Sequence, residues 1–584
     1  MKLHFFKLKL FFLLIASASS FIAADVIDAL TVRDFELTSS VNGTHQGVCD
    51  VLAQPKMVAG KAVLRSMIVD PLVDVDAILK RQNVIKALVG DVVLLEQLEA
   101  LLSKIAEHEK KLNAFDPAQQ NSAVSQMFAS LFFSARGLAG LNKSSVALNT
   151  RHALEYFTPV GVFALEHLVL HFAAQHLTKK NKPKGAAPHV HGAGCGHAHG
   201  AGHACVGNAK AKDDAPFHIK AVVGAAKFAH AGHHAVGIFY SLCALHARMK
   251  IVNELYQSII SLNDFLTEVK GISWLSSDVV LAELAPIHKD LNGITSILDV
   301  EYFKPNTHLN IISGVGKTLT TYLDLREKFD DFQRIIQCVA HLDVYAALAR
   351  TMVDAQSSSA KFCFTKFSEV AGPALNMLNG WHVMMNRCKL QANSFAARHG
   401  EGASAKYVLS GPNGSGKSSF LRTLGVNAVL SQTFGIAAAD EFSLAPFHKI
   451  LSFMTIVDDI HVGHSSFVAR MMRANKCLDE QVALGENQYC LALLDDSVGQ
   501  GTSIIRGEKT AYQFIKSMGL HGDTILVAAT HYDKIKNMST DPYSLFRSIR
   551  MRVAKDSSGK SRPEYVLEPG ISDSADVGVL VDEV

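Results

Sequence analysis

Apolar residues recur at steps of three and four through most of the first 350 positions, then gather into short unbroken runs. Leu88, Val92, Leu95, Leu98, Leu101, Leu102 and Ile105 fall on one stripe of a 3.6-residue helix, and the spacing predicts a single amphipathic helix, longer than average, over 83–112. Helical patterning also fills 30–37, 52–65 and 70–84, and resumes over 249–349, with a break expected at Pro305 and around 314–316. From 362 the pattern changes. Segments 362–367, 407–409, 489–494 and 524–529 read as strands separated by helical stretches, the alternation of an α/β domain. The expected architecture is an α-helical domain over 25–340 followed by an α/β nucleotide-binding domain over 341–584.

Two runs are apolar enough to raise the question of a membrane. Segment 160–177 is interrupted by Glu166, His167, His171, Gln175 and His176, and segment 221–247 holds Lys227, His230, His233 and His234. Those polar residues favour buried helices of a soluble domain, with a membrane hairpin as the alternative. Between the runs, 179–214 is a Gly/Ala-rich stretch carrying His189, His191, Cys195, His197, His199, His203 and Cys205. Imidazole and thiol at that density suit a transition metal, whereas the Gly/Ala background favours a flexible loop without fixed geometry.

Composition narrows this picture. The chain has 584 residues, 48% hydrophobic and 19% charged, enough for several cores. A net charge of +3 with 27 histidines uncounted excludes a chain dominated by phosphate-backbone contacts, although a local basic face stays open. Nine scattered cysteines do not form a disulfide framework. Residues 1–24 read as a secretory signal or an N-terminal anchor: Lys2, Lys7 and Lys9, an apolar core over 10–15, then small residues. A nucleotide site requires a compartment that holds nucleotide, so the two ends of the chain give opposing readings of location, export or membrane anchoring against cytoplasmic exposure.

The candidate chemistry centres on Gly411, Pro412, Asn413, Gly414, Ser415, Gly416, Lys417 and Ser418, which fit G-x-x-x-x-G-K-[ST] between a predicted strand and a predicted helix opening at Ser419. Backbone N–H groups of such a loop and the helix N-terminus bind phosphate, Lys417 reaches the terminal phosphates, and the Ser418 hydroxyl ligates Mg²⁺. The strand over 489–494 ends in Asp495 and Asp496, which supply the second acidic group of an ATP–Mg²⁺ site. His531, at the end of the strand over 524–529, is placed to sense a γ-phosphate or position water. Ser465, in Gly463-His464-Ser465-Ser466-Phe467, is a candidate phosphate contact from a neighbouring subunit.

These residues together resemble the MutS family of DNA mismatch-repair ATPases. The loop matches its G-P-N-x-x-G-K-S. Asp496-Ser497-Val498-Gly499-Gln500-Gly501-Thr502-Ser503 is similar to its D-E-x-G-R-G-T-S, Ala529-Thr530-His531-Tyr532 to its A-T-H-Y, and Ser465-Ser466-Phe467 to its S-T-F. Segment 342–349 resembles the L-D-x-L-A-x-L-A that opens its ATPase domain, and Tyr565-Val566-Leu567-Glu568-Pro569-Gly570 its closing strand and turn. Segments 31–37 and 60–65, with Pro71-Leu72 and Arg81-Gln82, resemble the start of its helical core, or lever, domain. The resemblance implies a lever domain carrying a MutS-type P-loop ATPase, ATP and Mg²⁺ as cofactors, DNA as partner and a homodimer as the working unit. The alternative function is a nucleotide-switched structural or membrane-associated protein, held by its N-terminus, that has lost DNA work.

Departures from the family pattern bear on each implication. The sequence leaves no room for a mismatch-recognition domain or connector, shows no clear Lys/Arg-rich clamp over 249–349, and ends where the family usually has dimerising helices. In gap-free register Asp496 takes the Mg²⁺-linked position and Ser497 stands where the family has its catalytic Glu, and serine cannot polarise water as a carboxylate does. A one-residue slip would give Asp495 a role instead, but neighbouring strand residues face opposite ways. The sequence thus leaves hydrolysis open.

Overall fold

A computed structural model describes residues 25–39, 46–112, 131–133, 138–154, 217–275, 277–303, 309, 314–368, 371–385, 390–400, 405–454, 466–500, 503–541, 543–555 and 561–572. The chain divides into two compact units. One comprises 1–113, 261–298 and 328–584, the other 114–260 and 299–327.

In the first unit the strands in chain order are β1 (Cys363–Phe364), β2 (Lys366–Phe367), β3 (Ala374–Gly380), β4 (Asn393–Arg398), β5 (Lys406–Ser410), β6 (Ile436–Ala437), β7 (Glu441–Leu444), β8 (Lys449–Phe453), β9 (Cys490–Leu494), β10 (Thr524–Thr530), β11 (Phe546–Lys555) and β12 (Ser561–Pro569). Six of them form the central sheet in the order β12-β11-β5-β10-β9-β8. All pairs are parallel except β11–β12. Strands β5, β8, β9 and β10 are buried along their whole length, which explains their unbroken apolar runs: a parallel sheet covered on both faces has no polar side. The run expected over 362–367 is two strands rather than one. β1 pairs with β6 and β2 with β7, and Thr365 between them turns its N–H to the Gly435 carbonyl.

The stripe over 83–112 is also broken. Helices Val75–Gly90 and Val92–Glu109 meet at Asp91, whose carboxylate accepts from the Leu94 N–H at 2.9 Å and caps the second helix. The apolar spacing carries across the joint, so periodicity alone does not reveal it. Around 314–316 the expected break is the start of helix Gly314–Glu327; Pro305 lies outside the described residues. A single helix, Phe329–Ala355, runs across position 340.

The helices nearest the N-terminus pack into the nucleotide-binding unit through polar clips. Leu72 and Gln432 exchange bonds (Leu72 N–H to the Gln432 carbonyl 3.0 Å, Gln432 Nε2 to the Leu72 carbonyl 2.8 Å). Arg81 donates to the Thr433 carbonyl at 2.9 Å, and Gln82 to the carbonyls of Thr365 (2.9 Å) and Gly435 (2.7 Å). Pro71-Leu72 and Arg81-Gln82 therefore hold the far end of helix Lys417–Phe434. Its last carbonyls would otherwise be buried without partners.

Asp34 is the second clip. It is 1% exposed and accepts from the Ser452 hydroxyl (2.6 Å), the Met454 N–H (3.0 Å) and the Arg473 guanidinium. Arg473 also donates to the Ser452 carbonyl at 3.0 Å and stacks over Phe453.

The third clip is a pair of carboxylates from helices Phe329–Ala355 and Val92–Glu109 that meet the start of helix Val58–Val69. Asp343 accepts from the N–H groups of Lys56 (3.0 Å) and Met57 (2.8 Å), and Glu109 from Val58 (2.8 Å) and Ala59 (2.7 Å). Together they satisfy the donors that a helix start leaves open. Burial pushes Asp343 up to about 6, outweighing the N–H donors that pull it down. A carboxyl raised on folding contributes stability that is full below about pH 4 and is lost as pH rises through about 6. We therefore expect Asp343→Asn to flatten the profile: wild type should lose on the order of 2 kcal/mol relative to the variant between pH 4 and pH 7. Denaturant titrations at the two pH values measure this, and parallel profiles would contradict it.

In the second unit, helix Phe217–Ile272 contributes its residues up to 260. Tyr256, Tyr302 and Phe303 form an aromatic cluster there, and Lys317 pairs with Asp299 and lies over the Tyr302 ring. Segment 221–247 was expected to pack in a core. It is helical, but its described side chains are exposed or partly so, including Phe228, Val236, Phe239, Tyr240 and Leu242. The companion run 160–177 lies outside the described residues, as do residues 1–24. Among the described residues Cys49, Cys243, Cys338, Cys363, Cys477 and Cys490 are free thiols.

Candidate functional site

Strand β5 ends at Ser410 and the chain turns through 411–416 into helix Lys417–Phe434. Gly414 (φ 75°) and Gly416 (φ 96°) supply the left-handed conformations this turn needs, which a side chain would strain. Lys417 is buried and donates to the carbonyls of Gly411 (2.9 Å) and Pro412 (3.0 Å), so its ammonium is held inside the loop. The Ser415 hydroxyl, also buried, has no hydrogen-bond partner.

The Ser418 hydroxyl donates to Oδ2 of Asp495 at 2.6 Å. The gap-free register gives the position beside Ser418 to Asp496, whose side chain lies outside the described residues; among the described ones it is Asp495 that meets the hydroxyl. Strand β9 stops at Leu494, the Asp495 N–H is held by the Phe453 carbonyl at 2.8 Å, and Asp496 opens a short 3-10 helix, Asp496–Gly499. Strand alternation ends before either acid, so the objection that two neighbouring residues must face opposite ways does not apply to them. Ser497 is 7% exposed with its hydroxyl unpartnered, a site closed to water rather than open to it.

A cavity of about 490 Å³ opens beside the loop. Asn413, Gly414, Gly416, Lys417, Ser418, Ser419 and Asp495 line one side, and Met385, Gln391, Asn393, Met551 and Tyr565 the other. The second group carried no signal as a site in the sequence, because it comes from separate strands and loops. Asn393 binds both the Tyr565 carbonyl (3.0 Å) and the Leu567 N–H (2.7 Å), tying β4 to β12. Tyr565 has φ 59°, is half-exposed, and lays its ring edge 3.0 Å from where a Cβ on Gly416 would sit. Arg550 and Arg552 on β11 pair with Glu568 and hold its carboxyl below the usual range, which fixes the hairpin that carries Tyr565.

His531 follows β10 directly. The register Thr530↔Ser410 sets it beside the start of the loop, exposed and stacked on Tyr532 with ring centroids 4.3 Å apart, though it is not among the cavity-lining residues. The side chain of Asp496, Ser465, and His189, His191, Cys195, His197, His199, His203 and Cys205 lie outside the described residues. Among the described residues no cluster of His, Cys, Asp and Glu has the grouping of a metal site.

A glycine loop between a parallel strand and a helix, with a buried lysine and a serine–carboxylate pair, is a nucleoside-triphosphate site. Which family it belongs to is decided by two models, MutS domain III over residues 30–349 and MutS domain V over 407–584. The chain belongs to the MutS family. It carries the family's helical core and its ATP-binding domain. Its relatives include the DNA mismatch repair protein MutS of Leuconostoc mesenteroides (25% identical over 260 residues, 44% of this chain and 29% of that protein) and that of Thermosipho melanesiensis (26% over 262 residues, 44% and 30%). That of Streptococcus pyogenes is 30% identical over 149 residues, 26% of this chain and 17% of its own. The matched stretches thus span less than a third of each relative.

Membership gives the clips a common meaning. The segments that resemble the start of the MutS core hold the two ends of the nucleotide machinery. Arg81 and Gln82 hold the far end of the phosphate-loop helix, and Asp34 holds the end of β8, whose Phe453 carbonyl in turn holds Asp495.

Proposed function

We propose that this chain binds ATP with Mg²⁺ in the 411–419 loop and hydrolyses it, and uses the nucleotide state to govern DNA binding by the helical core, as a member of a dimer. The observation that carries the nucleotide reading is the 2.6 Å contact between Ser418 and Asp495. A hydroxyl and a carboxylate together at the mouth of a phosphate loop are hard oxygen donors of the kind Mg²⁺ takes. When bound, the ion neutralises charge on the β- and γ-phosphates. Lys417 binds the terminal phosphates and Asp495 orients the Ser418 hydroxyl. Asp496, the next carboxylate, takes the water-activating role that the gap-free register denied it. His531, beside the loop, responds to the γ-phosphate, and Ser465 of a second copy completes the site. The DNA reading rests on family membership: the relatives are DNA mismatch repair proteins.

Lys417→Ala is expected to weaken ATP binding by about a hundredfold, since it removes a charge-assisted phosphate contact worth about 3 kcal/mol. Calorimetry with a slowly hydrolysed ATP analogue measures it, with and without Mg²⁺. Unchanged affinity would overturn the site assignment. For DNA, affinity must fall with salt on a log–log plot, with a slope set by the phosphates neutralised. Absence of DNA binding at low salt by the ATP-loaded protein would leave the nucleotide reading standing and remove the DNA one.

A further inference from the structure

We infer that Tyr532 is a positioning residue of the nucleotide site: wedged against Gly499 and Gly507, it locks the turn Asp496–Gly499 to helix Ile504–Gly519 and ties both to the position of His531. The inference rests on the proposed roles of Asp496 and His531 in ATP hydrolysis, and it assigns what keeps the two in register.

The geometry is a close approach of two backbones. A Cβ on Gly499 would fall 2.6 Å from the Gly507 carbonyl oxygen, and a Cβ on Gly507 would fall 2.1 Å from the Gly499 carbonyl oxygen. Neither glycine adopts the left-handed conformation, so these positions use the missing side chain and not the backbone freedom of glycine. The Tyr532 hydroxyl oxygen closes the contact, 2.8 Å from the Cβ position of Gly499 and 3.3 Å from that of Gly507. Tyr532 is 8% exposed and shares a buried cluster with Val498 of the turn and Ala511 of the helix. Each of the two elements is internally bonded. The Gln500 N–H donates to the Ser497 carbonyl at 3.2 Å, and the Gly507 N–H to the Ser503 carbonyl at 2.8 Å. A displacement of Gly499 is therefore carried back along the turn to Asp496, three residues away.

The other side of the wedge is the segment after β10. The His531 ring stacks on Tyr532, centroids 4.3 Å apart and planes at 32°. The same segment grips the same helix twice more. The Lys534 N–H donates to the Glu508 carboxylate at 2.9 Å, and the Lys534 ammonium lies over the Tyr512 ring, 4.7 Å from its centroid. Glu508 and Tyr512 are four residues apart, so both contacts fall on one face of the helix. A shift of His531 at the mouth of the site thus passes through one buried ring to the turn that bears Asp496. Tyr532 is not among the cavity-lining residues, so it acts through its neighbours rather than on nucleotide. The effect is large where a catalytic group is concerned, because a misplacement of about 1 Å can cost about a hundredfold in rate.

The test compares Tyr532→Phe, which keeps the ring and removes the oxygen, with Gly507→Ala, which keeps the helix and adds the Cβ. Both are expected to bind a slowly hydrolysed ATP analogue within about threefold of wild type, while single-turnover hydrolysis falls about tenfold in Tyr532→Phe and about a hundredfold in Gly507→Ala. Amide hydrogen exchange gives a readout that needs no turnover: the N–H groups of Gln500 and Gly507 should exchange about tenfold faster in Tyr532→Phe, with those of β5 and β10 unchanged. If wild type does not hydrolyse ATP, the role given to Asp496 fails, and the exchange result alone decides whether Tyr532 holds the turn. Turnover as in wild type in both variants, or unchanged exchange at Gln500 and Gly507 in Tyr532→Phe, would overturn the inference. So would faster exchange throughout the sheet with ATP affinity and turnover falling together, which would make Tyr532 a packing residue only.

Discussion

Replacing Asp496 by asparagine is expected to slow ATP hydrolysis about a thousandfold while leaving ATP affinity within a few-fold, the range lost when a positioned general base is removed. Its neighbour is already engaged. Asp495 is occupied by the Ser418 hydroxyl and its backbone by Phe453, which commits it to holding the serine that faces the phosphates. The proposed reading therefore gives the water-activating role to the next residue in the sequence, Asp496, one position beyond the strand-end Asp. Asp495→Asn should act differently: it weakens Mg²⁺-dependent nucleotide binding rather than turnover alone. Ser497→Glu discriminates the two registers. In a position only 7% exposed, a carboxylate would be buried without a partner, so the substitution is expected to destabilise the fold by a few kcal/mol and to restore nothing. Single-turnover hydrolysis of the three variants decides it. Weakened Mg²⁺-dependent nucleotide binding in Asp496→Asn together with faster turnover in Ser497→Glu would return the site to the gap-free register.

Asp34→Ala is expected to destabilise the first unit by about 3–5 kcal/mol, because removing one partner of a buried ion pair strands the other. The loss extends beyond Arg473: the Ser452 hydroxyl and the Met454 N–H also lose their acceptor. Asp34→Asn keeps an acceptor but not the charge and should lose less. Denaturant unfolding measures both. The functional corollary is that Asp495, held through Phe453 at the end of the same strand, should lose its alignment with Ser418. Weaker Mg²⁺-dependent ATP binding in Asp34→Ala at temperatures where it stays folded is the expected sign. A stability change below about 1 kcal/mol, the worth of an exposed pair, would show that the network contributes little.

The parts of this molecule legible in sequence are those whose determinants are local. The phosphate loop is written in consecutive residues, and the buried strands of the parallel sheet announce themselves by having no polar face. What sequence concealed depends on partners far along the chain. Asn393 and Tyr565 face one cavity from positions 172 apart, and Asp34 meets Arg473 across 439 residues. The contact between Ser418 and Asp495 was hidden for a different reason. The motif aligns equally well without a gap, and only the end of β9 at Leu494 shows where strand alternation stops. Asp91 was hidden because an apolar stripe can continue through a capped helix joint. The same stripe logic overestimated burial for 221–247, since apolar content says that water is avoided and not what replaces it.

The seating of Phe35 has a consequence for how the protein is made. Its ring lies against helix Lys417–Phe434 so closely that a Cβ on Gly425 would fall 2.2 Å from it. The Val26 carbonyl accepts from the Ile450 N–H, so the earliest described residues meet the β8 edge of the sheet, which is synthesised long after them. During translation these residues leave the ribosome hundreds of positions ahead of their partners. They must be kept from other apolar surfaces for that interval, and closing so long a loop makes the assembly of this unit slow. A C-terminal half produced without residues 25–113 is therefore expected to expose Gly425 and the β8 edge and to aggregate, and it should be rescued by supplying that N-terminal segment as a separate chain.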